Sequence, residues 1–294
     1  MKINSIELKN FRNYQDCSVE FDPFINIFIG KNAQGKTNLL EAIYILSMSK
    51  SFKTKIVDEL IYFDEDFAKI HGDIMTHEKQ MSLEIVLSKL GKKAFINHNE
   101  IKKTSDYVGD LNVVLFIPED LMLIKGSPRL RRKLIDMEIS KISPVYMYNL
   151  NKYNKLLKER NKYLKMLHDS HKDADTYLEV LSEQMALLQV DLLKKRIEFV
   201  DLLNEISTKM YDYIALHQEK LSLKYKSHYQ ELTYECILDK YQKSYKKDIL
   251  LGQTNHGIHK DDLLMYLDEM DASIYASQGQ QRSIVLAMKI GLLE

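Results

Sequence analysis

Little in this chain punctuates it. Four prolines and ten glycines in 294 residues are too few for long linkers or low-complexity segments. The two cysteines, Cys17 and Cys236, have neither a C-x-x-C partner nor a nearby histidine pair. That excludes a disulfide framework and a thiolate metal site, and both read as reduced thiols. An excess of one charge is also missing. The 42 basic and 42 acidic residues cancel, so no global field announces a nucleic-acid binder, and any such role must come from local segregation. No run approaches the roughly 18 apolar residues of a membrane span, and the N-terminus has no uninterrupted signal-peptide core. The expectation is a soluble, cytoplasmic protein with no membrane partner. What is plentiful is apolar side chain, 45% of residues, enough for a sizeable core in one large domain or two smaller ones.

Against that background one stretch stands out: Gly30-Lys31-Asn32-Ala33-Gln34-Gly35-Lys36-Thr37, which fits the phosphate-binding pattern G-x-x-x-x-G-K-[ST]. Ile25-Asn26-Ile27-Phe28-Ile29 before it has the composition of a buried strand. Asn38 to Leu46 after it has apolar residues at helical spacing. Strand, glycine loop and helix form the context the pattern requires. Glycines let the backbone bend closely around an anion, and successive N–H groups at the helix start face its phosphates. Lys36 is expected to reach the β- and γ-phosphates of ATP, and the Thr37 hydroxyl to ligate Mg²⁺.

Taken in order, Ile3 to Lys9 and Ser18 to Phe21 predict a hairpin, with Asp22-Pro23 turning into the loop's strand. Ala68 to Met75 and Met81 to Leu87 alternate with period two, and Asn112 to Ile117 predicts a buried strand stopped by Pro118. Glu119 to about Gln218 is helical, with starts at Ser127-Pro128 and Ser143-Pro144. From Leu181 to Tyr213 apolar residues recur in steps of three and four, fitting either a short antiparallel arm or a plain bundle. Strands return at Lys220 to Tyr225 and Leu264 to Leu267, with a helix from about Tyr229 to Lys246 between them. The fold class is α/β, a nucleotide domain split by a helical insertion.

Ser277-Gln278-Gly279-Gln280-Gln281 opens the last helix and makes a second possible anion site, with free N–H groups, a hydroxyl and an unobstructed glycine. Ser277 also fits a plain N-cap. Other motifs lie alongside these. They are Ile6-Glu7-Leu8-Lys9-Asn10-Phe11-Arg12-Asn13-Tyr14, Phe116-Ile117-Pro118-Glu119-Asp120-Leu121 and His256-Gly257-Ile258-His259-Lys260-Asp261-Asp262-Leu263. With these residues, over its whole length and in family order, the chain resembles the RecF family, DNA-repair ATPases of the ABC class related to the heads of SMC proteins.

The resemblance implies an ABC-type P-loop ATPase head, a mixed sheet plus an antiparallel β subdomain, with an inserted helical lobe or short coiled-coil arm. Residues 1–118 would be its N-terminal part, 119–218 the lobe and 219–294 its C-terminal part. Ser277, Gly279 and Gln280 would stand in the ABC signature, contacting the γ-phosphate held by a second copy, so that ATP joins a homodimer. Lys9 and Arg12 would lie towards the nucleotide. Single-stranded and gapped double-stranded DNA, and RecR with RecO and RecA, are the partners implied. The family continues with a Walker B strand and D-loop that this sequence does not contain. The expectation is therefore weak nucleotide binding and no hydrolysis by residues 1–294. A small-metabolite P-loop kinase and an SMC-like structural ATPase are the alternatives.

Local charge carries the DNA reading. From Lys125 to Lys165, twelve basic residues oppose only Asp136, Glu138 and Glu159, a net of +9, with tyrosines interleaved. Such a segment fits either phosphate contacts that read no sequence or a solvated helix face, and a charge-neutral variant at Arg129, Arg131, Arg132 and Lys133 would test the first. His256 and His259 have H-x-x-H spacing but no further metal ligand nearby, and the family resemblance implies that they are structural or nucleotide-proximal.

Overall fold

The computed structural model describes residues 1–76, 79–103, 106–229 and 231–293, which fall into two compact units, Met1–Leu115 and Phe116–Glu294. In the first, β1 (Lys2–Phe11) and β2 (Tyr14–Glu20) form the expected hairpin. β3 (Phe67–Met75), β4 (Gln80–Ser88), β5 (Gly91–Ile96) and β6 (Asn99–Ile101) complete an antiparallel sheet in the order β2-β1-β3-β4-β5-β6. Period-two patterning sets its register. Ala68 faces Leu87 and Ile70 faces Ile85, all of them buried, and a one-residue slip would turn this row to solvent. The helix α1 (Lys36–Met48) adds Leu39, Ala42, Ile45 and Leu46 to the same core. Its C-terminal end is held by the Tyr107 hydroxyl donating to the Leu46 carbonyl at 2.7 Å and Ser47 donating to the Leu111 carbonyl at 2.6 Å.

Two expected strands are absent. Neither Ile25 to Ile29 nor Asn112 to Ile117 has a sheet partner among the described residues. Ile25, Ile27 and Ile29 are 76%, 77% and 92% exposed. A β-branched run supplies propensity, but a strand forms only where a neighbour completes its ladder of N–H and C=O groups. Local bonds take the place of a ladder. The Asn26 side chain accepts from the Asp22 amide at 2.8 Å and donates to the Asp22 carbonyl at 2.9 Å.

The second unit contains α2 (Met122–Lys125), α3 (Pro128–Ile142), α4 (Pro144–Asp169), α5 (Thr176–Ile214), β7 (Leu221–Lys226), α6 (Tyr234–Leu251), β8 (Asp262–Leu267), β9 (Met270–Asp271), α7 (Ala272–Tyr275) and α8 (Gln278–Gly291). The serine–proline starts are as expected. Pro128 and Pro144 occupy first-turn positions, and Ser143 caps α4 by accepting from the Tyr146 amide. α6 starts at its Thr233 cap, not at Tyr229, and residues 77, 78, 104, 105 and 230 within the expected β-rich and helical spans lie outside the described residues. α5 has 39 residues and is about 58 Å long. It packs against α3, α4, α6, α8 and β7, so the helices form a lobe around one core, not a projecting arm. β7, β8 and β9 form a three-stranded antiparallel sheet on that core.

The lobe encloses arginines. Arg160 is fully buried, bonded to Asp248 at 2.8 Å, Thr254 at 2.7 Å and Ser182 at 3.1 Å. Arg196, also buried, reaches both oxygens of Asp136 and the Ile258 carbonyl. Arg131 forks onto Asp262 and donates to three backbone carbonyls, and Arg132 donates to the Asp261 carbonyl. The densest part of the basic run is therefore partly structural, because a guanidinium can satisfy several buried acceptors at once.

Candidate nucleotide and anion sites

In the first unit the glycine loop leads directly into α1. Gly35 is the N-cap residue with φ +99°, a left-handed conformation, and no side chain caps the helix. A Cβ at Gly35 would come within 2.8 Å of both the Asn13 side-chain nitrogen and the Tyr14 hydroxyl, so both backbone angle and space require glycine there. An uncapped helix start leaves its first N–H groups without intrahelical partners, and α1 has no acidic residue in its first turn. Both features favour an incoming anion. Lys36 Nζ donates to the Gly30 carbonyl at 2.6 Å and the Lys31 carbonyl at 2.7 Å, so its ammonium closes back over the loop. Lys31, Asn32, Ala33, Gln34 and Thr37 are exposed around it.

Polar side chains flank the loop. Asn38 donates to Asn13 at 2.8 Å and accepts from Lys53 at 2.8 Å. Arg12 forks onto Glu41 at 2.8 and 3.0 Å and donates to the Glu59 carbonyl at 2.7 Å. Burial tends to raise the Glu41 carboxyl, but bonds from Arg12 and Ser51 and the charges of Arg12 and Lys53 outweigh it and hold Glu41 below its ordinary value. Arg12, Asn13, Asn38, Glu59, Tyr62 and Phe63 help line a cavity of about 590 Å³. Lys9 is exposed and does not line it, so of the two basic residues expected near a nucleotide only Arg12 reaches this cavity. Asn13 lies in a motif quoted from the sequence, and Glu41 in the helical stretch that follows the glycine loop. Nothing in the composition of residues 58–65 marked them.

The residues fit a nucleoside triphosphate with Mg²⁺: a left-handed glycine, an uncapped helix start, a lysine lying over the loop and an exposed threonine hydroxyl. Among the described residues no cluster of three or more His, Cys, Asp or Glu forms a separate metal site, and no helix is long and apolar enough to cross a membrane.

Ser277, Gly279 and Gln280 lie in the second unit at the start of α8. The cap is reciprocal: Ser277 accepts from the Gln280 amide at 3.3 Å, and Gln280 accepts from the Ser277 amide at 2.6 Å. Ser277 and Gly279 are nevertheless exposed, and a Cβ at Gly279 would meet nothing closer than Ser277 Oγ at 3.9 Å. The head of α8 is open to an approaching group.

The histidine motif is structural. His259 Nε2–H donates to the Thr254 carbonyl at 3.1 Å, so Nδ1 accepts from the Tyr153 hydroxyl, also at 3.1 Å. A Cβ on Gly257, which has φ +133°, would lie 2.4 Å from that hydroxyl. Burial first, then Lys260, Arg132 and Arg160, push His259 down to about 4, against the Thr254 bond. The unfolded chain protonates this ring near 6.5, the folded chain not until about 4. Between those values the unfolded state binds more protons, so stability falls on acidification. His256 is lowered too and acts in the same sense. Asp261, raised by burial against its Tyr225 bond, acts oppositely. Replacing His259 with Gln is therefore expected to reduce the stability lost between pH 6.5 and 4.5 by about 2 kcal/mol. Urea melts of the two proteins at each pH check this, and an equal loss in both would refute it.

Comparison with known proteins follows the same lines. The AAA ATPase domain family matches residues 1–288. Proteins described as DNA replication and repair protein RecF are similar. The one from Geobacillus sp. (strain WCH70) is 42% identical over 301 aligned positions, with all of this chain and 80% of the relative covered. That of Bacillus subtilis (strain 168) is 41% identical, with 81% of the relative covered. Among solved structures, the recombination mediator protein RecF-ATP of the RecFOR pathway superposes with a TM-score of 0.90 at 32% identity, covering 99% of this chain and 80% of that one. An Smc head bound to the C-terminal winged helix of ScpA aligns at 0.53 and 13% identity over 99% of this chain and 76% of that one, a likeness of fold alone.

Proposed function

The chain belongs to the RecF family, and from that premise we propose that it is an ATP-dependent DNA-binding protein of recombinational repair and replication restart. ATP is held by Gly30, Lys31, Asn32, Ala33, Gln34, Gly35, Lys36 and Thr37. The observation that carries this reading is Lys36 drawn over the loop at the uncapped start of α1. Its ammonium would exchange two carbonyl partners for phosphate oxygens, and the Thr37 hydroxyl would ligate Mg²⁺. When bound, the nucleotide and its metal supply the charge that a second copy reads. In that copy Ser277, Gly279 and Gln280 would present the exposed head of α8 to the γ-phosphate. A closed homodimer would then hold single-stranded or gapped double-stranded DNA and act with RecO and RecR to place RecA on the single strand during the SOS response.

A P-loop kinase of a small metabolite would work as a monomer and make no use of Ser277. Light scattering separates the two readings. With a non-hydrolysable ATP analogue and DNA the chain is expected to dimerise, and Ser277→Arg to reduce the dimer population at least ~10-fold, about 1.4 kcal/mol, with ATP binding retained. Removal of a serine cap costs about 1 kcal/mol, so a melting curve checks that the variant is folded. A chain that stays monomeric throughout, or a Ser277→Arg protein that dimerises as well as its parent, would contradict the proposal.

A further inference from the structure

Eight of the twelve basic residues between Lys125 and Lys165 fall into two groups in the structure. Arg131, Arg132, Arg160 and Lys141 are engaged with Asp262, the Asp261 carbonyl, Asp248 and Glu138. Lys155, Lys158, Lys162 and Lys165 on α4 are all exposed and join no ion pair among the described residues. Their spacing of three, four and three residues places them within an arc of about 80° on the helix. Tyr153, Leu156, Arg160, Leu164 and Leu167 are buried on the opposite side. Among the described residues no carboxylate of α4 is ion-paired with a lysine of this row. Glu159 lies to one side and accepts from the Tyr177 hydroxyl, and Asp169, one turn past Lys165, is paired with His168.

We propose that this lysine row on the outer face of α4 is where the chain follows the phosphate backbone of duplex DNA. The inference rests on the DNA-binding reading above and adds to it the surface used. From Lys155 to Lys165 the row is about 15 Å long at 1.5 Å per residue, and phosphates of one strand recur about every 3.4 Å along the duplex, so the row matches about four of them. Lysines on flexible stems suit this role, since they act as point charges and read no sequence. The apolar face of α4 is taken up by the core, which leaves it nothing to insert into a lipid surface.

The test is a salt titration of a fluorescent 30-base-pair duplex with the 294-residue chain, the quadruple variant Lys155→Gln/Lys158→Gln/Lys162→Gln/Lys165→Gln, and a control. The control replaces Lys195, Lys209 and Lys243, each ion-paired at the surface, with Gln. Neutralising four contacts should lower the slope of log K against log salt by about 3.6. Between 50 and 200 mM salt the parent would then lose about 150 times more affinity than the quadruple variant, with the control behaving as the parent. The four positions are solvent-exposed, so the melting curve should be unchanged. Equal slopes in parent and quadruple variant, with the parent binding DNA, would overturn this inference and leave the DNA reading intact. A parent that binds no duplex at low salt would overturn both. Binding to phosphatidylserine vesicles but not to duplex, lost in the quadruple variant, would assign the row to lipid and overturn it as well.

Discussion

Asp248→Ala is expected to destabilise the second unit by about 3–5 kcal/mol, the usual result of removing one partner of a buried ion pair. Asp248 and Arg160 are both fully buried and 2.8 Å apart. Asp248 also accepts from the Asn255 backbone amide at 3.1 Å and its side-chain amide at 2.9 Å, tying the end of α6 to the turn that carries the histidine motif. Without it the guanidinium keeps its charge, since arginine does not deprotonate in a protein. Thr254, Ser182 and the faces of Tyr241 and Tyr245, with ring centroids 5.1 and 5.8 Å away, would be all that remains around it. One guanidinium nitrogen, Nη2, already lacks a hydrogen-bond partner among the described residues. For a unit of this size the loss corresponds to about 6–20 °C in melting temperature. Adding Arg160→Met to Asp248→Ala should recover part of it, because the double variant has no unpaired charge. A cost below about 1 kcal/mol, typical of an exposed pair, would show that Arg160 reaches solvent.

How far the sequence could be read depended on whether a feature was local. The glycine loop, α1 and the start of α8 each depend on a few consecutive residues, and each stands where its motif put it. The alternation in β3 and β4 likewise set the register. Ile25 to Ile29 failed because a strand is a property of two segments, and one segment's composition says nothing of its neighbour. The basic run was legible only in part for a different reason, since counting charges ignores helical phase. Arg160 follows Tyr153 and Leu156 at the same three- and four-residue steps that place these residues in the core, whereas Lys155, Lys158 and Lys162 fall on the other side. A wheel drawn for α4 would have separated them. Contacts such as Arg12 to Glu59 and Lys53 to Asn38 join positions distant in sequence and had no sequence signal.

The account rests on a nucleoside triphosphate held by the loop from Gly30 to Thr37. Lys36 is the one ammonium bonded to that loop's own carbonyls among the described residues, and its side chain is not needed to hold the core of the first unit. Lys36→Ala should therefore leave folding unchanged and remove two charge-assisted bonds to phosphate, each worth about 1.5–3 kcal/mol. At about 1.4 kcal/mol per decade this is at least ~100-fold in affinity. Calorimetric titration of Mg²⁺–ATP into residues 1–294 and into the Lys36→Ala variant measures it. The account predicts one site per chain in the parent, even if weak, and a loss of at least ~100-fold in a variant with an unchanged melting curve. Affinities equal within a factor of about 3, less than 1 kcal/mol, would contradict it.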